Sequence, residues 1–292
     1  ANDPVSDGGG EVFYLRDEYS GASWSPTPLP RRGHGEYLTR HGFGYSVFEH
    51  SEAGIFSALS MFVALDAPVK YMVLRVRNDS RVQRRLSATG YIEWVLGDLR
   101  AKTAMHVNTE TDIATGALLA SNHYNTEFPQ RVAFFDLDAA AKTVTCDRKE
   151  FIGRNRSLQN PIALERQRLS GKIGAGLDPC AAIQTTFDLA PGQERELVFT
   201  LGLCDLHQAN TAELILRHRG AAAARAALES VKDYWLRTLG AIQVTTPEPA
   251  LDVLANGWLL YQTLACRMWA RSGYYQSGGA FGFRDQLQDS MA

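Results

Sequence analysis

Between Glu11 and about Cys204 the chain is cut into short runs of β-branched and aromatic residues, punctuated by Gly, Pro, Asn and Asp. That pattern restricts the fold more than any other feature, because runs of this length bounded by turn-formers read as strands of antiparallel sheet. Val12 to Arg16, Val69 to Arg77, Leu86 to Val95, Arg131 to Asp136, Ala182 to Leu189 and Glu194 to Leu203 are the expected strands. The last two are joined by Ala190-Pro191-Gly192-Gln193, whose Pro-Gly pair predicts a hairpin turn. Helical spacing appears only briefly in this region, around Ile162 to Leu169. So many strands over nearly 200 residues predict a large two-sheet sandwich rather than a small barrel.

After Leu206 the pattern changes to one rich in Ala, Leu, Glu and Arg. Two helices are expected, Asn210 to Arg219 and Ala221 to Leu239, separated by Gly220. A short extended piece, Ile242 to Thr245, leads to Thr246-Pro247, which reads as an N-cap and first-turn pair for a helix running to about Ala270. Leu251, Leu254, Trp258, Tyr261, Leu264 or Ala265, and Met268 give that helix an apolar stripe broader than a lone surface helix needs. The expected organisation is therefore a β-sandwich over 1–205, a helical linker over 206–245, and the start of a second, helical unit over 246–292. The chain reads as ending inside that unit.

Composition narrows the function classes. With 30 basic and 32 acidic residues the net charge is −2, so no overall field draws the molecule to nucleic acid or anionic lipid. The longest apolar run, Gly54 to Leu65, is too short and too rich in Ser to span a bilayer, which takes roughly 20 residues. Cys146, Cys180, Cys204 and Cys266 are widely spaced and form no C-x-x-C pair, which predicts buried free thiols rather than a zinc knuckle or redox dithiol. The start, Ala1-Asn2-Asp3-Pro4, has no initiator Met and no signal-type apolar core, and reads as a cut within a longer polypeptide.

Chemistry concentrates at the C-terminal end. Arg284, Asp285, Gln288 and Asp289 fall at the expected start of a helix, behind a glycine-rich loop that carries Tyr274, Tyr275, Phe281 and Phe283. On a helix Arg284 and Gln288 share a face, as do Asp285 and Asp289. The two carboxylates point the same way from one helix, so they do not suit an acid and base pair flanking a scissile bond. Carboxylate, amide and guanidinium groups beside flat rings suit the hydroxyls and apolar faces of a pyranose. The alternative is that Asp285 caps the helix while Arg284 pairs with Asp289.

Other candidates carry less. Ser277-Gly278-Gly279-Ala280-Phe281-Gly282 lacks the Gly-Lys-Ser/Thr ending of a P-loop. Arg40-His41-Gly42-Phe43-Gly44-Tyr45 through Glu49 and His50 matches no metal spacing and reads as strand with a tight glycine bend. His106 and Glu110 would be a ligand pair only on a helix, which their Thr and Asn neighbours disfavour. Gly174 to Cys180 reads as a turn into a strand, and Cys180 has no nearby base to make it a nucleophile.

Several segments also carry a family resemblance: Tyr14-Leu15-Arg16-Asp17-Glu18, Trp24-Ser25-Pro26-Thr27-Pro28-Leu29-Pro30, Arg40 to Tyr45, Gly174 to Cys180, and Trp258 to Arg267. Together they resemble the C-terminal region of bacterial cyclic β-1,2-glucan synthases. They are also similar to family 94 of the glycoside hydrolases, inverting phosphorylases acting on cellobiose, chitobiose and β-1,2-glucans. The resemblance covers essentially the whole chain.

It implies a galactose-mutarotase-like supersandwich followed by linker helices and the first helices of an (α/α)6 barrel. It matches Arg284, Asp285, Gln288 and Asp289 to the Arg-Asp-x-x-Gln-Asp motif that holds the transferred glucosyl unit. It places the family's general acid and phosphate ligands later in the barrel, so no catalytic residue is expected in this chain. Inorganic phosphate would be a co-substrate of the intact domain, with no cofactor or metal. The implied setting is the cytoplasmic side of an inner-membrane synthase, with β-glucan oligosaccharide as partner and a homodimer as one possible assembly. A non-catalytic carbohydrate-binding or structural module of the synthase is the competing expectation.

Overall fold

The computed structural model describes residues 10–97, 99–205, 211–241 and 243–269, together with 287, 288 and 291. Its first part is two antiparallel sheets. One has five strands in the order β11-β12-β7-β1-β2, and the other has eight in the order β3-β4-β5-β6-β13-β10-β9-β8. The strands are β1 (Glu11–Asp17), β2 (Ser23–Trp24), β3 (Tyr37–Gly42), β4 (Tyr45–Glu52), β5 (Ile55–Val63), β6 (Val69–Asn78), β7 (Arg84–Glu93), β8 (Asn108–Thr111), β9 (Leu118–Ser121), β10 (Arg131–Leu137), β11 (Thr143–Asp147), β12 (Pro179–Leu189) and β13 (Glu194–Asp205). All six strands expected from the sequence are present. The two-sheet sandwich is the fold expected.

The core forms where the inward residues of both sheets meet. Phe13 and Leu15 on β1, Ala88 on β7 and Ile183 and Phe187 on β12 come from one side. Leu59 on β5, Met72 and Leu74 on β6, Phe135 on β10 and Leu197 and Phe199 on β13 come from the other. Phe199 packs edge-on to Phe13 at 5.1 Å between ring centroids and alongside Phe135 at 5.9 Å. Burying one such ring stabilises the fold by about 1.5–3 kcal/mol. Gly90 on β7 makes room for these rings, since a Cβ there would lie 2.8 Å from Phe199.

The five-stranded sheet is covered on its other face as well. Val12, Tyr14, Tyr91, Cys180 and Ala182 pack against Phe151, Ile152, Ala163, Leu164 and Leu169 of the β11–β12 connection. That connection opens with the short helix Arg148–Ile152, capped by the Asp147 carboxylate, which accepts from the N–H groups of Lys149 and Glu150. The helical spacing of Ile162 to Leu169 yields only one 3-10 turn, Ile162–Glu165. Its apolar residues serve as a lid on the sheet rather than as one face of a helix.

One expectation is corrected. The turn 190–193 forms, with the Gln193 N–H donating to the Ala190 carbonyl at 3.0 Å and Gly192 at φ 74°. It does not close a hairpin. β12 pairs with β7 and β11 in the five-stranded sheet, whereas β13 pairs with β6 and β10 in the other. The turn is a corner that carries the chain across the sandwich.

The helices after the sandwich are Thr211–Arg217 and Gly220–Leu239, with Gly220 at φ 90° marking the bend between them. The chain divides into two compact units between Leu228 and Glu229. In the second unit the expected N-cap moves by two residues. Glu248 accepts from the Ala250 N–H, and Pro249 is the first-turn proline. Thr246 instead pairs with the Asp252 carboxylate through both its N–H and its hydroxyl.

The helix that follows is not continuous. After Pro249–Val253 the backbone turns π-helical over Leu254–Trp258, with Asn256 and Gly257 outside helical geometry and Gly257 at φ 153°. The Asn256 side chain leaves the helix to bond Val244, accepting from its N–H at 2.7 Å and donating to its carbonyl at 2.8 Å. A side-chain amide competing for backbone partners explains the break. Leu259–Gln262 is α-helical again and Thr263–Trp269 is π-helical. No helix among the described residues is long and apolar enough to cross a membrane.

Candidate functional site

The hairpin β3–β4 contains the two histidines and the acid noted in the sequence. At its tip His41 Nδ1 meets Ser46 Oγ at 2.8 Å, and Arg40 pairs with Glu49. Deeper in, His50 is fully buried and stacks on Tyr37 with ring centroids 3.8 Å apart. Its Nδ1 lies 3.0 Å from the Glu36 carbonyl, which can only accept, so that nitrogen carries the proton. Its Nε2 faces Glu52 Oε2 at 3.3 Å.

Glu52 is held from the other side by the loop 33–35. The N–H groups of His34 and Gly35 donate to Oε2 at 2.6 and 3.2 Å. Burial alone would raise this carboxyl, but those two N–H groups together with His34 and His50 bring it below the usual carboxylate range. The approach requires glycine, since a Cβ on Gly35 would stand 1.9 Å from the Ser51 carbonyl oxygen. His50 and Glu52 thus fasten a loop to a strand. Among the described residues no group of three or more His, Cys, Asp or Glu could hold a metal ion.

The turn 174–180 enters β12, as expected, through a charge cluster. Asp178 accepts from Arg100 and lies 3.6 Å from Arg148, whose Nε donates to Glu93 at 2.7 Å. Arg100 also donates to the carbonyls of Trp94 and Pro179. Tyr91 donates to Glu93, and burial with its acidic neighbour pushes the phenol far up. Every group in the cluster already serves another.

Cys146, Cys180 and Cys204 are buried free thiols. Burial pushes Cys146 up to about 11 and Cys180 well above the thiol range, which leaves neither as a nucleophile. His106 closes a 3-10 turn, Ala104–His106, while Glu110 lies on β8, so the two are not a helical pair.

Two contacts unforeseen in the sequence tie the segment 217–219, between the two helices that follow the sandwich, to its strands. Arg217 Nε donates to His218 Nε2 at 3.2 Å, leaving Nδ1 as the protonated nitrogen 2.8 Å from the Tyr71 hydroxyl. Burial lowers the His218 pKa and pushes Tyr71 up to about 12. Beside them Asp136 on β10 accepts from Lys142 at 2.9 Å and from Arg219 Nε at 2.9 Å, and Arg219 also donates to the Thr115 carbonyl. Asp136 and Arg219 lie 83 positions apart and Tyr71 and His218 lie 147 apart, so sequence spacing discloses neither contact.

Of the expected sugar-binding residues, Arg284, Asp285 and Asp289 lie outside the described residues, as do Tyr274, Tyr275, Phe281 and Phe283. Gln288 is helical and exposed. Upstream, Trp235 and Trp258 both meet the Tyr261 ring, at 4.6 and 6.0 Å between centroids. The apolar stripe read from the sequence is exposed at Leu251, Leu254, Trp258 and Met268.

Comparison with known proteins covers both units. Residues 1–229 match the family model described as glycosyl hydrolase 94, supersandwich domain, and residues 234–292 match the glycosyl hydrolase 94 superfamily, catalytic domain. The chain is 39% identical over 293 residues to the cyclic beta-(1,2)-glucan synthase NdvB of Rhizobium meliloti (strain 1021), covering 100% of this chain and 10% of that protein. It is 28% identical to the N,N'-diacetylchitobiose phosphorylase of Vibrio furnissii, over 97% of this chain and 36% of that one. It is 26% identical to the solabiose phosphorylase of Paenibacillus borealis, over 98% and 37%. The chain therefore spans about a tenth of the synthase and little more than a third of the phosphorylases it matches.

Proposed function

Since the chain belongs to glycosyl hydrolase family 94, we propose that it is the sandwich, linker and first barrel helices of a β-glucan phosphorylase-like domain within a cyclic β-1,2-glucan synthase. The observation that carries this reading is the unbroken order of the two matches, supersandwich then catalytic domain, along one chain. In the domain division that accompanies it, the sandwich spans 1–205, the linker 206–245 and the barrel start 246–292.

Arg284, Asp285, Gln288 and Asp289 hold the glucosyl unit that is transferred. Arg284 donates in a fixed fork, the carboxylates accept from vicinal hydroxyls, and Gln288 does both. Inorganic phosphate is the co-substrate. It arrives already anionic and attacks the anomeric carbon directly, so no general base is needed to activate a water. The C1–O bond breaks, the leaving oxygen takes a proton from a carboxylic acid, and the product is a sugar 1-phosphate. That acid and the phosphate ligands come from barrel residues beyond this chain. Phosphorolysis of this kind would trim chains before cyclisation, on the cytoplasmic side of the inner membrane.

Incubation with a linear β-1,2-gluco-oligosaccharide and phosphate tests the reading. The 292-residue chain should release no sugar phosphate, the polypeptide extended through the rest of the catalytic domain should release it, and Arg284→Ala in the longer protein should abolish release. Turnover by the short chain, or none by the long one, would overturn it. The second reading, a non-catalytic scaffold, predicts the latter result.

A further inference from the structure

One end of the sandwich carries large rings that its own core does not use. The loop 122–130, between β9 and β10, exposes Tyr124 to 76% and Phe128 to 55%, and Met105 on the neighbouring loop is exposed to 77%. These loops are adjacent, since both Asn122 and Asn125 donate to the Leu96 carbonyl, at 3.0 and 3.2 Å. Single exposed apolar side chains need no explanation. An exposed ring held rigidly in place does.

Tyr124 is held in that way. Its ring lies on the His106 imidazole with centroids 4.3 Å apart and planes 9° from parallel. Its N–H donates to Asn122 Oδ1 at 3.0 Å, and Asn125 Oδ1 accepts from the N–H groups of Glu127 and Phe128. His123 Nδ1 bonds the Pro129 carbonyl, and the Arg131 guanidinium sits over the Phe128 ring. With one face backed by imidazole and the loop fixed by asparagine turns, little conformational freedom remains to be lost when something covers the outer face.

The geometry points to a stacking platform for a neutral glucan chain, in which the outer face of Tyr124 takes the apolar face of one glucose ring. The outer face of the exposed Tyr124 ring, backed by His106, offers a flat apolar surface that the C–H face of a pyranose can cover. The platform rests on the glucan reading above but uses none of the residues Arg284, Asp285, Gln288 and Asp289.

The test is calorimetric titration of the 292-residue chain with a linear β-1,2-gluco-oligosaccharide. Tyr124→Ala should weaken binding by about three- to tenfold, the worth of one ring contact, while Tyr124→Phe, which keeps the ring, should bind within about twofold of the parent. Because the ring is exposed, both variants should melt within ~2 °C of the parent. Affinity unchanged by Tyr124→Ala, or no binding by the parent at millimolar sugar, overturns the platform whether or not the extended protein releases sugar phosphate. Loss of self-association in Tyr124→Ala without loss of sugar binding also overturns it, by assigning the ring to a second copy. If the platform binds sugar and the extended protein fails to phosphorolyse it, the catalytic reading alone has failed.

Discussion

Asp136→Asn is the substitution whose consequence follows most directly from the structure. The carboxylate is 2% exposed and is shared by Lys142 and Arg219, themselves 14% and 22% exposed. Replacing it with an amide leaves two cations facing one neutral group, and the amide nitrogen turns a donor toward at least one of them. Removing one partner of a buried pair costs about 3–5 kcal/mol. Both cations keep some contact with water here, so about 3 kcal/mol, the low end, is expected. For a unit of this size each kcal/mol corresponds to about 2–4 °C, giving a melting shift of about 6–12 °C by circular dichroism. A double-mutant cycle with Arg219→Ala should return a coupling of about 1–3 kcal/mol. Hydrogen exchange should quicken through Thr211–Arg217 and the start of Gly220–Leu239, because Arg219 joins those helices to β10. A loss below about 1 kcal/mol together with zero coupling would show that the three charges are independently solvated, and the anchoring argument would fail.

Gly35→Ala should cost about 1–3 kcal/mol by urea unfolding, since the new methyl meets the Ser51 carbonyl at 1.9 Å and backbone cannot yield cheaply. Asp178→Asn should lower stability by about 1–2 kcal/mol, and Arg148→Ala added to it should cost less than it does alone. Acid should act in two windows. His218 has a lowered folded pKa, so the unfolded chain takes up the proton first and stability declines as pH falls below about 6.5. Asp17 and Glu52 are likewise depressed, and the stability they contribute is present above about pH 4–5 and lost as pH falls through their folded values. Melting curves against pH should therefore flatten in the upper window for His218→Gln and in the lower for Glu52→Gln.

Strand positions were legible because alternation and turn residues are local signals, and β1, β6, β7, β10, β12 and β13 all carry them. Partner choice is not local. Ile183 and Phe187 on β12 and Leu197 and Phe199 on β13 enter the same core from opposite sheets. A hairpin within one sheet would bury those same residues, so the apolar pattern is identical for a hairpin and a corner, and Pro191-Gly192 serves either. The helix beginning at Pro249 failed for a related reason. Its apolar spacing is helical on both sides of Gly257, but the amide of Asn256 finds Val244 only after the chain has folded back.

The same distinction governs the residues proposed to bind sugar. Arg284, Asp285, Gln288 and Asp289 fall within six consecutive positions, fewer than two turns if the segment is helical, so sequence can propose them together. Tyr124 and His106 meet only because β8 and β9 pair, with Asn108 opposite Ser121, which brings the segment before one strand beside the segment after the other. In the sequence they were a lone histidine and one tyrosine among eleven. On the proposed reading, a binding motif is legible in one short stretch of sequence while an accessory contact depends on strand pairing. If so, substitutions at loop 122–130 should alter how long a chain is held, and substitutions at Arg284 should alter whether it reacts at all.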